Sequence, residues 1–276
     1  MSVAEPIKLV INTPVGGSWW IIAKAIVPHL EQWTGEKIEI ESRVGGNGVV
    51  AARHVFENKS VKTPSLYLGA VLQDFELDLQ QDLVPLIDHG NLVKIMYVAA
   101  DNPASDFNQL IGNNKTIDYG QIQVAPESDM MNEIAGQIKT RTSMQTVPFK
   151  SLADLSHAVL GHHITVGANA TKGLLPLIES GKIKPIAVQG PYRSAYFPNV
   201  MTLEEQGFKT VSAMHHRTMI WASPGINPRL VADVRREWAK FVTSPAGQEM
   251  LKSTDHKIKP SEAADPEIVL RRLLKK

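Results

Sequence analysis

The sequence predicts an α/β protein built on mainly parallel sheets. Apolar runs of strand length recur along the chain, and segments with helical periodicity separate most of them. Strands joined through helices return parallel to one another, because the crossover needs a dozen or more residues. Glycine-rich turns follow the first two strands, at Gly16-Gly17 and Gly45-Gly46-Asn47-Gly48. In such folds ligands sit beyond the carboxyl ends of the strands, where these turns gather.

The first strand is Leu9 to Ile11. The helix after it takes Ser18 as its N-cap, and Trp19, Ile22, Ala23, Ile26, Leu30 and Trp33 form its apolar stripe. Pro28 should kink this helix and Gly35 should stop it. Residues 37–41 alternate as a short strand, and a second helix runs from about Val49 to Glu57. The turn between them lacks GxGxxG spacing, so a dinucleotide fingerprint is not supported.

Strands follow at 66–69, 82–87 and 93–99. A helix capped by Ser105 reaches about Asn113, residues 117–119 are a strand, and Ser128 caps a helix with Met131, Ile134, Ala135 and Ile138 on one face. The second half repeats the alternation. Strands at 144–149, 164–166, 184–188 and 219–222 are interleaved with helices at 151–160 and 171–180. Thr202-Leu203-Glu204-Glu205 is a capping box that opens a short helix ended by Gly207. Asn227-Pro228 pairs an N-cap with proline at the first helical position and starts the strongest helix, with Leu230, Val231, Val234, Trp238 and Phe241 inward. A final helical stretch covers 266–274.

Composition narrows the function. The 276 residues can bury a sizeable core in one or two domains, and 43% hydrophobic with 21% charged is ordinary for a soluble globular protein. A net charge of +1 gives no electrostatic footprint for nucleic acid. The absence of cysteine excludes disulfides and thiol catalysis. No apolar run is long enough to span a bilayer. The opening MSVAEPIKLV shows no basic stretch followed by an apolar one, so no signal peptide is visible; a mature exported protein behind a new Met would read the same. His162-His163 and His215-His216 lack metal-ligand spacing, and no metal or cofactor is expected. No G-x-S-x-G elbow is present for a hydrolase.

The stretch that carries the functional reading is the first strand, glycine loop and helix start. A helix start presents unpaired N–H groups and the positive end of the helix dipole. Glycines before it let a ligand come close, so the arrangement is a ready anion seat.

At this point the sequence resembles the periplasmic substrate-binding receptors of tripartite tricarboxylate transporters, the Bug-type receptors. The resemblance rests on Pro14-Val15-Gly16-Gly17, Arg43-Val44-Gly45-Gly46-Asn47-Gly48, Asp82-Leu83-Val84-Pro85, Val147-Pro148-Phe149-Lys150, Leu160-Gly161 and 178–184. It continues through Arg193, the run 197–207 and Ser223-Pro224-Gly225-Ile226-Asn227-Pro228. It implies a type II periplasmic-binding-protein-like fold with two lobes, here residues 1–100 with 222–276, and 101–221, each lobe a mainly parallel sheet flanked by helices. It implies a non-enzymatic receptor that closes on a small carboxylate in an interlobe cleft and delivers it to membrane permease subunits, with a periplasmic location.

The ligand contacts so implied come from several loops. The first is Val15, Gly16, Gly17, Ser18, Trp19 and Trp20; then come Gly46 and Asn47, followed by Gly69, Ala70 and Gln73. In the second lobe they are Ala125, Glu127, Ser128 and Asp129, then Gly167, Ala168 and Asn169, with His216 nearby. Two departures matter. Trp20 stands where relatives often carry an aspartate for a ligand amine, which favours an apolar or aromatic body over an amino acid. The loop after Gly120 replaces glycines with Pro126, Glu127 and Asp129; the acids either complement the dipole of the helix that follows or leave the second-lobe contact changed or lost. An enzyme or an effector-sensing module on the same two-lobe scaffold is the competing reading; a titratable pair within hydrogen-bond reach would mark the enzyme.

Overall fold

The computed structural model describes residues 5–70, 83–122, 133–138, 142–209 and 217–274. The chain divides into two compact units, Met1–Asn91 with His216–Lys276, and Leu92–His215.

The first unit holds β1 (Ile7–Ile11), α1 (Ser18–Thr34), β2 (Ile38–Ser42), α2 (Val49–Glu57), β3 (Ser65–Ala70) and β4 (Val84–Leu92). The second unit holds β5 (Lys94–Ala99), α3 (Phe107–Asn113), β6 (Thr116–Ile122), β7 (Ser143–Phe149), α4 (Leu152–Leu160), β8 (Val166–Ala170), α5 (Thr171–Glu179) and β9 (Ile183–Gln189). The chain then re-enters the first unit with β10 (Arg217–Ala222), α6 (Pro228–Phe241), α7 (Pro245–Ser253), β11 (His256–Lys257), α8 (Pro260–Ala263) and α9 (Pro266–Leu274).

Each unit is a mixed sheet with helices on both faces. The first sheet runs β11-β4-β10-β3-β1-β2, and the second β7-β6-β8-β5-β9. The β1 strand is parallel to β2 and β3, while β10 is antiparallel to β3 and β4. In the second sheet β6 is parallel to β7 and β8, while β5 opposes β8 and β9. The expected α/β class holds, with β10 reversed in the first sheet and β5 in the second. The reversed strands are the ones that follow the passage from one unit to the other. They also account for the domain boundaries, which differ from the expected 100/101 and 221/222. The β5 strand pairs in the second sheet and β10 in the first, and an apolar run carries no mark of which sheet it will join.

Local chemistry sets most element ends as expected. Gly35 closes α1 in the left-handed conformation at φ 73°, with its N–H on Glu31 O. Asn227 caps α6 by accepting from Arg229 N–H at 2.9 Å, with Pro228 in the first turn. Three expectations need correction. Ser18 is the first residue of α1, and Gly17 holds the N-cap position with no side-chain cap. Asp106, rather than Ser105, caps α3, because the helix starts at Phe107 and puts the Asp106 carboxylate in the N-cap position, where it accepts from Gln109 N–H at 2.8 Å. The box at Thr202 and Glu205 forms reciprocally at 2.8 and 3.1 Å, yet only turns follow it, since Gly207 at φ 96° ends the segment before a helix can extend. The Ser128 cap lies outside the described residues; within that helix 133–137 is helical and Ile134 is buried in the second unit's core.

One face of the first sheet packs Leu9, Ile11, Ile220 and Leu68 against Ile22, Ile26 and Leu30 of α1 and Val234 and Trp238 of α6. The other packs Val10, Tyr67, Met219 and Trp221 against Ala51, Ala52 and Val55 of α2 and Leu270 of α9. Near the β4 edge Arg217 pairs with the buried Asp88 and reaches Glu262 at 2.9 Å. Burial pushes the Asp88 carboxyl up, against the pull of Arg217. Next to this pair His89 lies against Trp238 and His256 with neither ring nitrogen hydrogen-bonded. Burial lowers His89 to about 3 and takes His256 well below the usual range.

Candidate functional site

The first unit gathers three strand ends on one sheet edge. The parallel register of β1 with β2 and β3 puts the β1–α1 loop, the Gly45–Gly48 turn and the end of β3 side by side. Backbone and side chain tie the first two together: Arg43 N–H donates to Ile11 O at 2.8 Å and Ser42 Oγ to Thr13 O at 2.7 Å.

Helix α1 starts bare on this edge. Gly17 uses its own N–H on Pro14 O at 3.0 Å, and the next amides, Ser18, Trp19 and Trp20, have no intrahelical acceptor. No side chain caps this helix and no acid stands in its first turn. Helix α2 likewise has an N-cap glycine, Gly48 at φ 100°, no side-chain cap and no acid in its first turn. Two positive dipole ends therefore share the edge with no side-chain cap and no acid in either first turn.

Polar side chains converge between these helix starts. A Cβ on Gly17 would fall 2.8 Å from Thr13 Cβ and 3.0 Å from Thr13 Oγ1. A Cβ on Gly48 would fall 2.5 Å from Tyr67 Oη and 2.9 Å from Asn12 Nδ2. Asn12 Oδ1, Thr13 Oγ1 and Tyr67 Oη are all buried without a hydrogen-bond partner. Burial pushes the Tyr67 phenol up, so it stays an O–H donor. Asn12, Thr13 and Tyr67 were not among the expected contacts. Their signal was faint: two polar residues directly after an apolar strand, and a tyrosine two positions before a strand-end glycine.

The expected contacts divide. Gly16, at φ 87°, and Val15 are exposed on the loop, and Ser18 is exposed at the helix start. Trp19 and Trp20 are half-buried, packed against the first core, so both indoles serve partly as core. Gly46 opens a short 3-10 turn that includes Asn47. Gly69 and Ala70 are the last residues of β3 rather than a loop; Gly69 is buried beneath the Tyr67 ring, which explains its lack of a side chain. Gln73, Ala125, Glu127, Ser128, Asp129 and His216 lie outside the described residues.

In the second unit Gly167, Ala168 and Asn169 also belong to a strand, β8, where a loop was expected. Gly167 lies opposite Tyr97, whose Cζ would be 2.7 Å from a Cβ there, and Ala168 is in the core. Only Asn169 is half-exposed, with its Oδ1 accepting from Ala170 N–H at 2.8 Å. Two glutamines that sequence reasoning missed stand at the carboxyl ends of β6 and β9. Gln189 Nε2 donates to Tyr119 Oη at 2.8 Å, while Gln189 Oε1 and both amide atoms of Gln121 are buried without partners. Of the histidine pairs, His162 is exposed with Nε2 3.3 Å from Asp101. Among the described residues no three His, Asp or Glu side chains are grouped to hold a metal, and no helix is long and apolar enough to cross a membrane.

Known proteins match this architecture along nearly its full length. A protein from Cupriavidus necator, described as the UPF0065 protein in the gbd 5′ region, is 26% identical over 264 residues, covering 91% of this chain and 79% of its own. Among solved structures the periplasmic binding protein BugD superposes with a TM-score of 0.74 at 19% identity, covering 97% of this chain and 92% of BugD. Rpa4515 of R. palustris, solved with adipate, gives a TM-score of 0.73 at 19% identity and covers 97% of both chains. At these identities the two structures speak for the fold. The family description comes from sequence: residues 25–269 match the model of the tripartite tricarboxylate transporter family receptor, which makes this chain a member of that receptor family.

Proposed function

We propose that this receptor captures a small organic carboxylate at the edge formed by the β1–α1 loop, the Gly45–Gly48 turn and the end of β3, for delivery to the membrane permease subunits of a tripartite transporter from the periplasm. The observation that carries the reading is the start of α1, uncapped by side chains, where the amides of Ser18 to Trp20 have no intrahelical acceptor and, among the described residues, Thr13 Oγ1 beside Gly17 has no hydrogen-bond partner. Neutral donors on rigid elements bind an anion without burying a cationic side chain. Rpa4515, solved with adipate, supports the choice of a carboxylate. The role is binding, with ligand contacts shifting the balance between states of the receptor. Calorimetry against mono- and dicarboxylates, aliphatic and aromatic, tests it: saturable binding by at least one member is expected, and silence across the panel removes the carboxylate.

A further inference from the structure

We infer that the part of the ligand next to its carboxylate is plain hydrocarbon, and that Val15, Val44 and Val50 select it. The inference rests on the carboxylate reading above and adds the substrate class. Seven large apolar side chains stand exposed among the described residues; four of them, Val15, Ile21, Val44 and Val50, belong to the β1–α1 and β2–α2 connections or to the first turns that follow. Val15 is 71% exposed, Val44 52% and Val50 47%. Scattered exposed apolar residues need no explanation, but a concentration on one edge does.

These side chains share the edge with the anion donors. The two connections are hydrogen-bonded to each other through Ile11, Thr13, Ser42 and Arg43. A Cβ on Gly45 would lie 3.1 Å from Val50 Cγ2, so a Val50 methyl rests on the turn that carries Val44. Tyr67, fully buried and unpartnered at its hydroxyl, points to the N-cap of α2 within the same cluster. The charged group nearest in sequence, Arg43, is turned onto Glu41 at 2.5 Å. Beside the anion donors the protein thus offers valine methyls. A hydroxyl or ammonium carried on the ligand there would give up hydration against apolar groups. An alkyl or aryl carboxylate would instead cover them.

Ligand-observed NMR titration of the full chain with acetate, butyrate, hexanoate and 2-hydroxybutyrate tests this. Affinity is expected to rise about fourfold per added methylene until the valines are covered. The hydroxylated acid should bind more weakly than butyrate. Replacing the three valines together (Val15→Asn, Val44→Asn, Val50→Asn) should flatten the series, so that hexanoate loses more affinity than acetate. A flat series in the unmodified chain, or a slope that survives the triple replacement, overturns the inference while the carboxylate seat stands. If none of the four acids binds, acetate included, the seat itself is wrong and the inference falls with it.

Discussion

Ser18→Pro separates the backbone of the seat from its scaffold. Proline has no N–H, so the substitution deletes one of the three bare amides at the start of α1. The helix should tolerate it. Ser18 is the first helical residue, where proline is favoured because that amide has no partner within the helix. Proline also demands an extended residue before it, and Gly17 is already extended at φ −72°, ψ 175°. A hydrogen bond to a charged acceptor is worth about 1.5–3 kcal/mol, so affinity for a carboxylate should fall roughly 10- to 150-fold. Stability should change by less than about 0.5 kcal/mol, which keeps Tm within about 2 °C. Isothermal calorimetry with the tightest carboxylate of the panel, paired with a thermal melt, reads both numbers. Ser18→Ala keeps the amide and removes only the hydroxyl, so it should bind far better than the proline variant. Unchanged affinity in Ser18→Pro with the fold intact would refute the reasoning, because the amide would then face no ligand.

Two further outcomes follow from the cores. His89 is neutral in the folded state, with its pKa held at about 3 by burial, while the unfolded chain restores the ordinary value. The unfolded state therefore binds the extra proton, and stability present above about pH 6.5 is lost as pH falls toward 3, by up to ~1.4 kcal/mol per pH unit. His256 adds to this slope, and Asp88, raised by burial, opposes it at the acid end; denaturant melts from pH 7 to 4 should show a shallower loss in His89→Phe, and an identical slope would put the proton uptake elsewhere. Gly167→Ala would place a Cβ 2.7 Å from Tyr97 Cζ inside a packed core, which should cost about 1–3 kcal/mol in the ligand-free protein. Unchanged ligand-free stability in that variant, by urea denaturation, would mean the glycine is not there for the ring.

Gly69 and Gly167 show where the sequence was readable and where it misled. The α/β alternation, the stop of α1 at Gly35, the Asn227 start of α6 and the span of α2 followed from periodicity and capping, which are local. A strand-end glycine has two local explanations, close approach of a ligand or room for a neighbour's side chain. The packed neighbour decides between them: Tyr67 lies over Gly69 along its own strand, and the β5–β8 register sets Tyr97 across from Gly167. The same limit hid the site's polar groups. Asn12 and Thr13 look like ordinary loop residues until β2 and β3 bring Gly48 and Tyr67 beside them. Gln121 and Gln189, 68 positions apart by their numbering, meet one sheet edge only after β6 and β9 are placed.

The seat's chemistry bears on how a site with no cation among its described residues could hold an anion. A buried guanidinium or ammonium would need a partner whenever the anion left, or its desolvation would weigh against the empty state. The groups gathered here are amides at a helix start, a carboxamide, a hydroxyl and a phenol, all neutral. Their orientation is fixed by parallel strands that are buried on both faces, so little ordering is needed when a ligand arrives. Left empty, each strands only a neutral group. Under the proposed delivery role the site must be stable both loaded and empty, and neutral, pre-oriented donors meet that requirement where an ion pair would favour only the loaded state. The valines on the same edge then supply discrimination that charge would not, since a cation accepts any carboxylate while methyl groups distinguish hydrocarbon from hydroxylated bodies.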